Sequence, residues 1–210
     1  MNYLFNLFLV ENLLIKEQKL GVLIADCIKY SRKKNYEPLV EKGIAYQLKL
    51  EAYIKNHPSF NESKKRIDPK FTRFANDVVK LYYSHFLVTY WNQYSEFDLP
   101  VSVSNAYLDL AFNWENTPQK LHKLIPILIS SPGIVQLKTI GGMHNFIGAV
   151  SRKGLCVAFL QNSLLDLSNN YHSIKEDFKI FMKDLQQYVI DIDKEEENKE
   201  MNYVPLANAS

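Results

Sequence analysis

The sequence is short of glycine and cysteine, and each shortage removes a class of chemistry. Seven glycines in 210 residues form neither a G-x-G-x-x-G nor a Walker-type loop, so a cradle of backbone N–H groups for phosphate is excluded. The two cysteines, Cys27 and Cys156, are far apart in apolar surroundings. That excludes a disulfide framework and a thiolate metal site and leaves buried thiols. HExxH and the nucleophile elbow G-x-S-x-G are also missing. No apolar run reaches the ~20 residues that span a bilayer. The opening MNYLFNLFLVENLLI is interrupted by Glu11 and has neither a cationic start nor a small-residue cleavage site. A cytoplasmic protein without a membrane span is expected.

The residues present favour helices. A hydrophobic content of 47% with 13% aromatics is enough for one well-buried core, and long runs of Leu, Ile, Lys, Glu, Tyr and Phe show no strand-like alternation. The expected architecture is an all-α, single-domain helical bundle over residues 1–190. Charge is unevenly spread: six acids against two lysines leave −4 in the last twenty residues and +6 on residues 1–190. The basic body suits an acidic partner, and its sign alone would also suit nucleic acid. Residues 191–210, highly charged and then NYVPLANAS, offer little to bury and read as a disordered acidic tail.

Hydrophobic spacing and stop signals predict helices over about 2–12, 16–31, 38–56, 71–94, 102–113, 118–130 and 137–151. Pro38 starts the third, NHPSFNESKKR reads as a loop, and Thr117 is the expected N-cap of the helix at 118. The final helix gives the clearest pattern, with Tyr171, Ile174, Phe178, Phe181, Leu185 and Tyr188 at alternating gaps of three and four. Of the histidines, His57 before Pro58 reads as a loop or capping residue or as a ligand. His85 lies in the apolar stripe Phe74, Val78, Leu81, His85, Val88 and reads as a hydrogen-bonded core histidine or a functional one. His122, His144 and His172 have no acidic neighbours at ligand spacing.

Taken together, five segments in order resemble the acyl carrier protein (ACP) phosphodiesterases, a divergent branch of the helical HD-domain metal phosphohydrolases. MNYLFNLFLVEN is similar to MNYLAHLFLAEN, and LGVLIADCIKY to LGNLLADFVKG. GIAYQLKLEAYIKNHP follows G-I-x-L-H-R-x-I-D-x-F-T-D-x-H-P without a gap. RFANDVVKLYYSHFLVTYW follows R-Y-x-x-x-x-x-D-x-x-Y-D-H-F-L-A-x-x-W, and DFKIFMKDLQQYV follows D-F-x-x-F-F-P-D-L-Q-x-Y-V. The resemblance runs from Met1 to about Val189. It implies metal-assisted hydrolysis, with manganese or magnesium, of the phosphodiester joining 4′-phosphopantetheine to holo-ACP, inside an HD-domain-like helical fold.

The chain departs from that pattern at the ligand positions. The family's histidines are Asn6 and Gln47 here, and its aspartates are Glu51, Lys55, Lys80 and Ser84. By the resemblance, Asp26, Glu51 and His85 are the candidate catalytic residues, and Asp26, Glu51 and His57 the remaining candidates for a weakened or lost metal site. Lys80 is expected either to oppose a dication or to pair with Asp26 or Glu51 in its place. Lys29, Arg32, Lys33 and Lys80 are the candidate substrate-binding cations, and Lys34, Lys64, Lys65 and Arg66 extend the basic clusters toward an acidic ACP surface. With ACP as the implied partner, neither nucleic acid nor membrane is expected. The resulting expectation is a divergent family member. The alternatives are a non-catalytic helical module for ACP or another acidic partner, and a hydrolase of another phosphoester.

Overall fold

A computed structural model describes residues 3–11, 15–28, 35–129, 133–154 and 158–201. In chain order the helices are α1 (Tyr3–Glu11), α2 (Lys16–Ile28), α3 (Pro38–Asn56), α4 (Pro58–Lys65), α5 (Ala75–Thr89), α6 (Leu99–Phe112), α7 (Gln119–Ile129), α8 (Ile140–Arg152), α9 (Leu164–Asn169) and α10 (Tyr171–Met201). Short 3-10 turns join several of them, at Pro69–Phe74, Trp91–Gln93, Trp114–Asn116, Gly133–Lys138 and Ala158–Ser163. No strand occurs among the described residues, so the fold is all-α. No helix among them is long and apolar enough to cross a membrane.

The centre of the bundle is α5. Val78 through Val88 are buried on every side of this helix except at Leu81, which is half-buried. A helix enclosed in this way cannot leave polar side chains to water. Lys80, Ser84 and His85 must therefore find partners inside the protein. α1, α4 and α10 pack around α5, and the α2–α3 pair completes the layer beside α1. α10 contributes Ile174, Phe178, Phe181 and Leu185, all fully buried, as its three-four spacing predicts.

Several boundaries differ from the sequence expectation. The NHPSFNESKKR segment is a helix: Pro58 stands in its first turn, and the His57 side chain accepts the Ser59 N–H as N-cap. α5 starts at Ala75 rather than 71, because Pro69 and the Asp68 cap open a 3-10 turn first. Thr117 donates its hydroxyl back to the Asn113 carbonyl at 3.0 Å. α10 continues through Asp191 to Met201, so regular structure extends past the boundary drawn at residue 190. Residues 202–210, with the end of the expected tail, lie outside the described residues.

Candidate functional site

The inward face of α3 is Val40, Gly43, Tyr46, Gln47, Leu50, Glu51 and Ile54. Gln47 and Glu51 are one turn apart and so lie on one line of that face. Across from them α5 presents Lys80 and Ser84, again one turn apart, and α1 adds Asn6. All five are buried. They form a polar layer between α1, α2, α3 and α5. Asn6 Nδ2 donates to the Val22 carbonyl at 3.2 Å, and Gln47 Nε2 donates to Asn6 Oδ1 at 2.8 Å. Lys80 Nζ donates to Glu51 Oε1 at 2.7 Å, and Lys55 Nζ reaches the same oxygen at 3.1 Å from the next turn of α3. The Lys80 and Glu51 side chains are 6% and 8% exposed, whereas Lys55 is 45% exposed. Thus the inner cation is enclosed and the outer one sits at the surface.

These groups do not fit a divalent cation. A dication needs anionic or free lone-pair oxygens and nitrogens converging on one point. Here Glu51 Oε1 already takes two ammonium groups, Asn6 Oδ1 takes the Gln47 amide, and Ser84 turns its hydroxyl to the Lys80 carbonyl at 2.7 Å. The ammonium of Lys80 would stand next to any ion bound by Glu51, where burial leaves their repulsion poorly screened. Among the described residues, no three His, Cys, Asp or Glu side chains gather to hold a metal. Gln47 Oε1 is buried without a hydrogen-bond partner. Neutral and alone, it does not restore a ligand set.

The structure does not gather Asp26, Glu51 and His57 into a ligand group. Asp26 is half-buried in the last turn of α2. His57 uses both ring nitrogens: Nδ1 accepts the Ser59 N–H at 3.2 Å, and Nε2 lies 3.2 Å from Asp184 Oδ2, to which its proton is donated. It is the capping histidine of the two readings open from sequence. His85 is likewise occupied. Its Nδ1–H donates to the Leu137 carbonyl at 2.7 Å, and its Nε2 accepts the Tyr171 hydroxyl at 2.9 Å. It links α5 to the Gly133–Lys138 turn and to α10.

Burial holds the His85 imidazole below its usual pKa, and the bond to the Leu137 carbonyl only partly opposes that shift. The unfolded chain protonates this histidine near its ordinary 6.5, whereas the folded chain resists until lower pH. Stability contributed by neutral His85 is therefore full above that value and lost as pH falls through it. Urea titrations between pH 7 and 5 should show this slope, and His85→Gln should remove it. Burial raises the carboxyls of Asp177 and Glu11, which act with the opposite sign at lower pH, so the informative quantity is the difference between the two proteins. An unchanged slope in the variant would assign the pH dependence to other groups.

Lys29, Arg32, Lys33 and Lys34 lie outside the described residues. In the second basic cluster, Lys65 pairs with Glu62 at 2.6 Å and Arg66 with Asp177 at 2.7 Å, while Lys64 lies over the Phe60 ring. Arg66 therefore fastens α4 to α10. Its partner Asp177 also accepts the Ser63 hydroxyl at 2.9 Å, and Ser63 meets the Tyr83 hydroxyl at 3.1 Å. Sequence reading missed this cluster and the His57–Asp184 contact, whose partners are more than one hundred residues apart. The one available signal was the position of Asp177 and Asp184 beside the apolar stripe of α10. Lys55, four residues after Glu51, was visible as a helical ion-pair spacing.

The family described as acyl carrier protein phosphodiesterase matches residues 1–185, which reach from α1 into α10. An acyl carrier protein phosphodiesterase from Serratia proteamaculans (strain 568) is 23% identical over 192 residues, spanning 91% of this chain and 98% of that relative. No solved structure matches the chain. With the family match running from α1 into α10 and including the polar layer at Asn6, Gln47, Glu51, Lys80 and Ser84, the chain belongs to the acyl carrier protein phosphodiesterase family.

Proposed function

We propose that this chain engages ACP as its family does, and that it carries out no metal-assisted hydrolysis through the Glu51 centre. The observation that carries the second half is the Lys80 Nζ–Glu51 Oε1 contact of 2.7 Å, at positions where the family pattern places two aspartates. The first half is supported by the extent of the family match and by the net +6 of residues 1–190, which suits an acidic partner. ACP as partner carries with it a cytoplasmic location. The basic segment Lys29, Arg32 and Lys33 is the proposed docking surface, and Lys80 is too enclosed to meet a protein partner directly. Manganese or magnesium, implied by the family resemblance, has no fitting ligand set at this centre.

The test combines mass spectrometry with binding. Holo-ACP incubated with the protein and manganese or magnesium should keep its phosphopantetheine. Titration of holo-ACP should show saturable association that weakens with salt and with Arg32→Glu plus Lys33→Glu. A metal-dependent mass loss equal to phosphopantetheine, abolished by chelator, would overturn the non-hydrolytic half. No association at low salt would overturn the ACP half.

A further inference from the structure

We infer that Lys80 is the protein's own cation. Its ammonium takes the charge-neutralising place of a bound metal between α3 and α5, and it makes the fold independent of metal. This deepens the reading of the Glu51 centre given above and does not depend on ACP being the partner.

The argument begins with Glu51. A carboxylate whose side chain is 8% exposed cannot remain in a helical core without an opposing charge or a proton. In a metal-binding arrangement that charge would come from outside the chain, and α3 and α5 would be joined only when it is bound. Here it comes from α5 itself. Lys80 Nζ lies 2.7 Å from Glu51 Oε1, and the lysine side chain is 6% exposed. The ion pair connects residues 29 positions apart in sequence, so it is a tertiary clamp rather than a local helical pair. Lys55 does not duplicate it: that lysine belongs to α3, as Glu51 does, and closes the outer side of the carboxylate.

The neighbouring groups are arranged for an ammonium. Ser84, one turn along α5, directs its hydroxyl to the Lys80 carbonyl and does not compete for Glu51. Gln47 donates to Asn6, and Asn6 donates to the Val22 carbonyl, which ties α1 and α2 to α3 through neutral amides. Among the described residues the layer therefore has one buried anion, Glu51, and one buried cation, Lys80. Removing either leaves the other enclosed, so the pair should behave as a unit.

Thermal melting of the full chain without ACP tests this. The wild-type midpoint should be the same in chelator and in millimolar manganese, because no site gains a ligand on folding. Lys80→Met should lower the midpoint by about 5–10 °C by taking the buried cation away from the Glu51 carboxylate. Adding Glu51→Gln to Lys80→Met should recover most of that loss, since the buried carboxylate that the ammonium offset is then gone. Lys80→Asp should melt low in chelator and rise in manganese, because a dication can then bridge the Glu51 carboxylate and the new one that stands where the lysine was. A wild-type midpoint that shifts with manganese or chelator would overturn the inference. So would a Lys80→Met protein no less stable than the double variant, or a Lys80→Asp protein that manganese does not raise.

Discussion

Gly43→Ala and Gly21→Ala are each expected to destabilise the protein by about 3 kcal/mol or more, at the upper end of what overpacking costs. A Cβ placed on Gly43 would lie 2.1 Å from the Gln18 carbonyl oxygen and 2.9 Å from its carbon. One on Gly21 would lie 2.1 Å from the Val40 carbonyl oxygen and 2.8 Å from the Gly43 Cα. These obstacles are backbone atoms, which cannot move aside as a flexible side chain would, so α2 and α3 must separate. The consequence reaches the polar layer, because Gln47 and Glu51 follow Gly43 by one and two turns on the same helix. Gly141→Ala is the control. A Cβ there meets nothing within 4 Å, and alanine in the first turn of α8 should be neutral or stabilising by about 0.5–1 kcal/mol. Urea midpoints of the three variants decide the matter: equal stability of Gly43→Ala and Gly141→Ala would show that the helix crossing is looser than described.

The same two glycines illustrate what a sequence can disclose. Gly43 opens the G-I-x-L segment and Gly21 the L-G-x-L-x-A-D segment, so both are visible as motif letters. That they face each other is information held only in the packing. Helical boundaries followed local chemistry closely where it was unambiguous: α3 runs Pro38–Asn56, from its proline to the residue before His57. The sequence misled where one residue type serves two purposes. Asn-His-Pro-Ser reads as a turn, yet a histidine that accepts the Ser59 N–H and a proline in the first turn are also the start signals of α4. For the candidate site, the departures from the family pattern were legible residue by residue. The pairing of Lys80 with Glu51 was one of two partners the charges allowed, and only the geometry chose between Glu51 and Asp26. The partners of His57 and His85 were not legible, since Asp184, Leu137 and Tyr171 are brought to them by tertiary structure.

Phe181→Ala is expected to cost about 3–5 kcal/mol, the range for truncating a fully buried aromatic ring. Phe181 is 0% exposed and stands where four elements meet α10. Its ring makes edge contacts with Phe5 of α1 at 5.8 Å and with His57 at the α3–α4 junction at 5.2 Å. It also makes tilted contacts with Phe60 of α4 at 6.4 Å and Tyr83 of α5 at 5.1 Å. Few of these partners can relax into the space a methyl group leaves: the Tyr83 hydroxyl is bonded to Ser63 and the Ser59 carbonyl, and His57 is fixed by its cap and by Asp184. The residual cavity should therefore persist, which places the cost high in the range. Phe5 and Tyr83 directly precede Asn6 and Ser84, so loosening the ring cluster should also loosen the polar layer. In the variant the Asn6 and Gln47 side-chain amide protons should exchange with solvent faster. Ile180→Ala, a neighbouring truncation at a residue 54% exposed, should change stability by no more than about 0.5 kcal/mol. If the two alanine variants unfolded at the same urea concentration, Phe181 would not be the junction of these helices, and the polar layer would owe its order to the Lys80–Glu51 clamp alone.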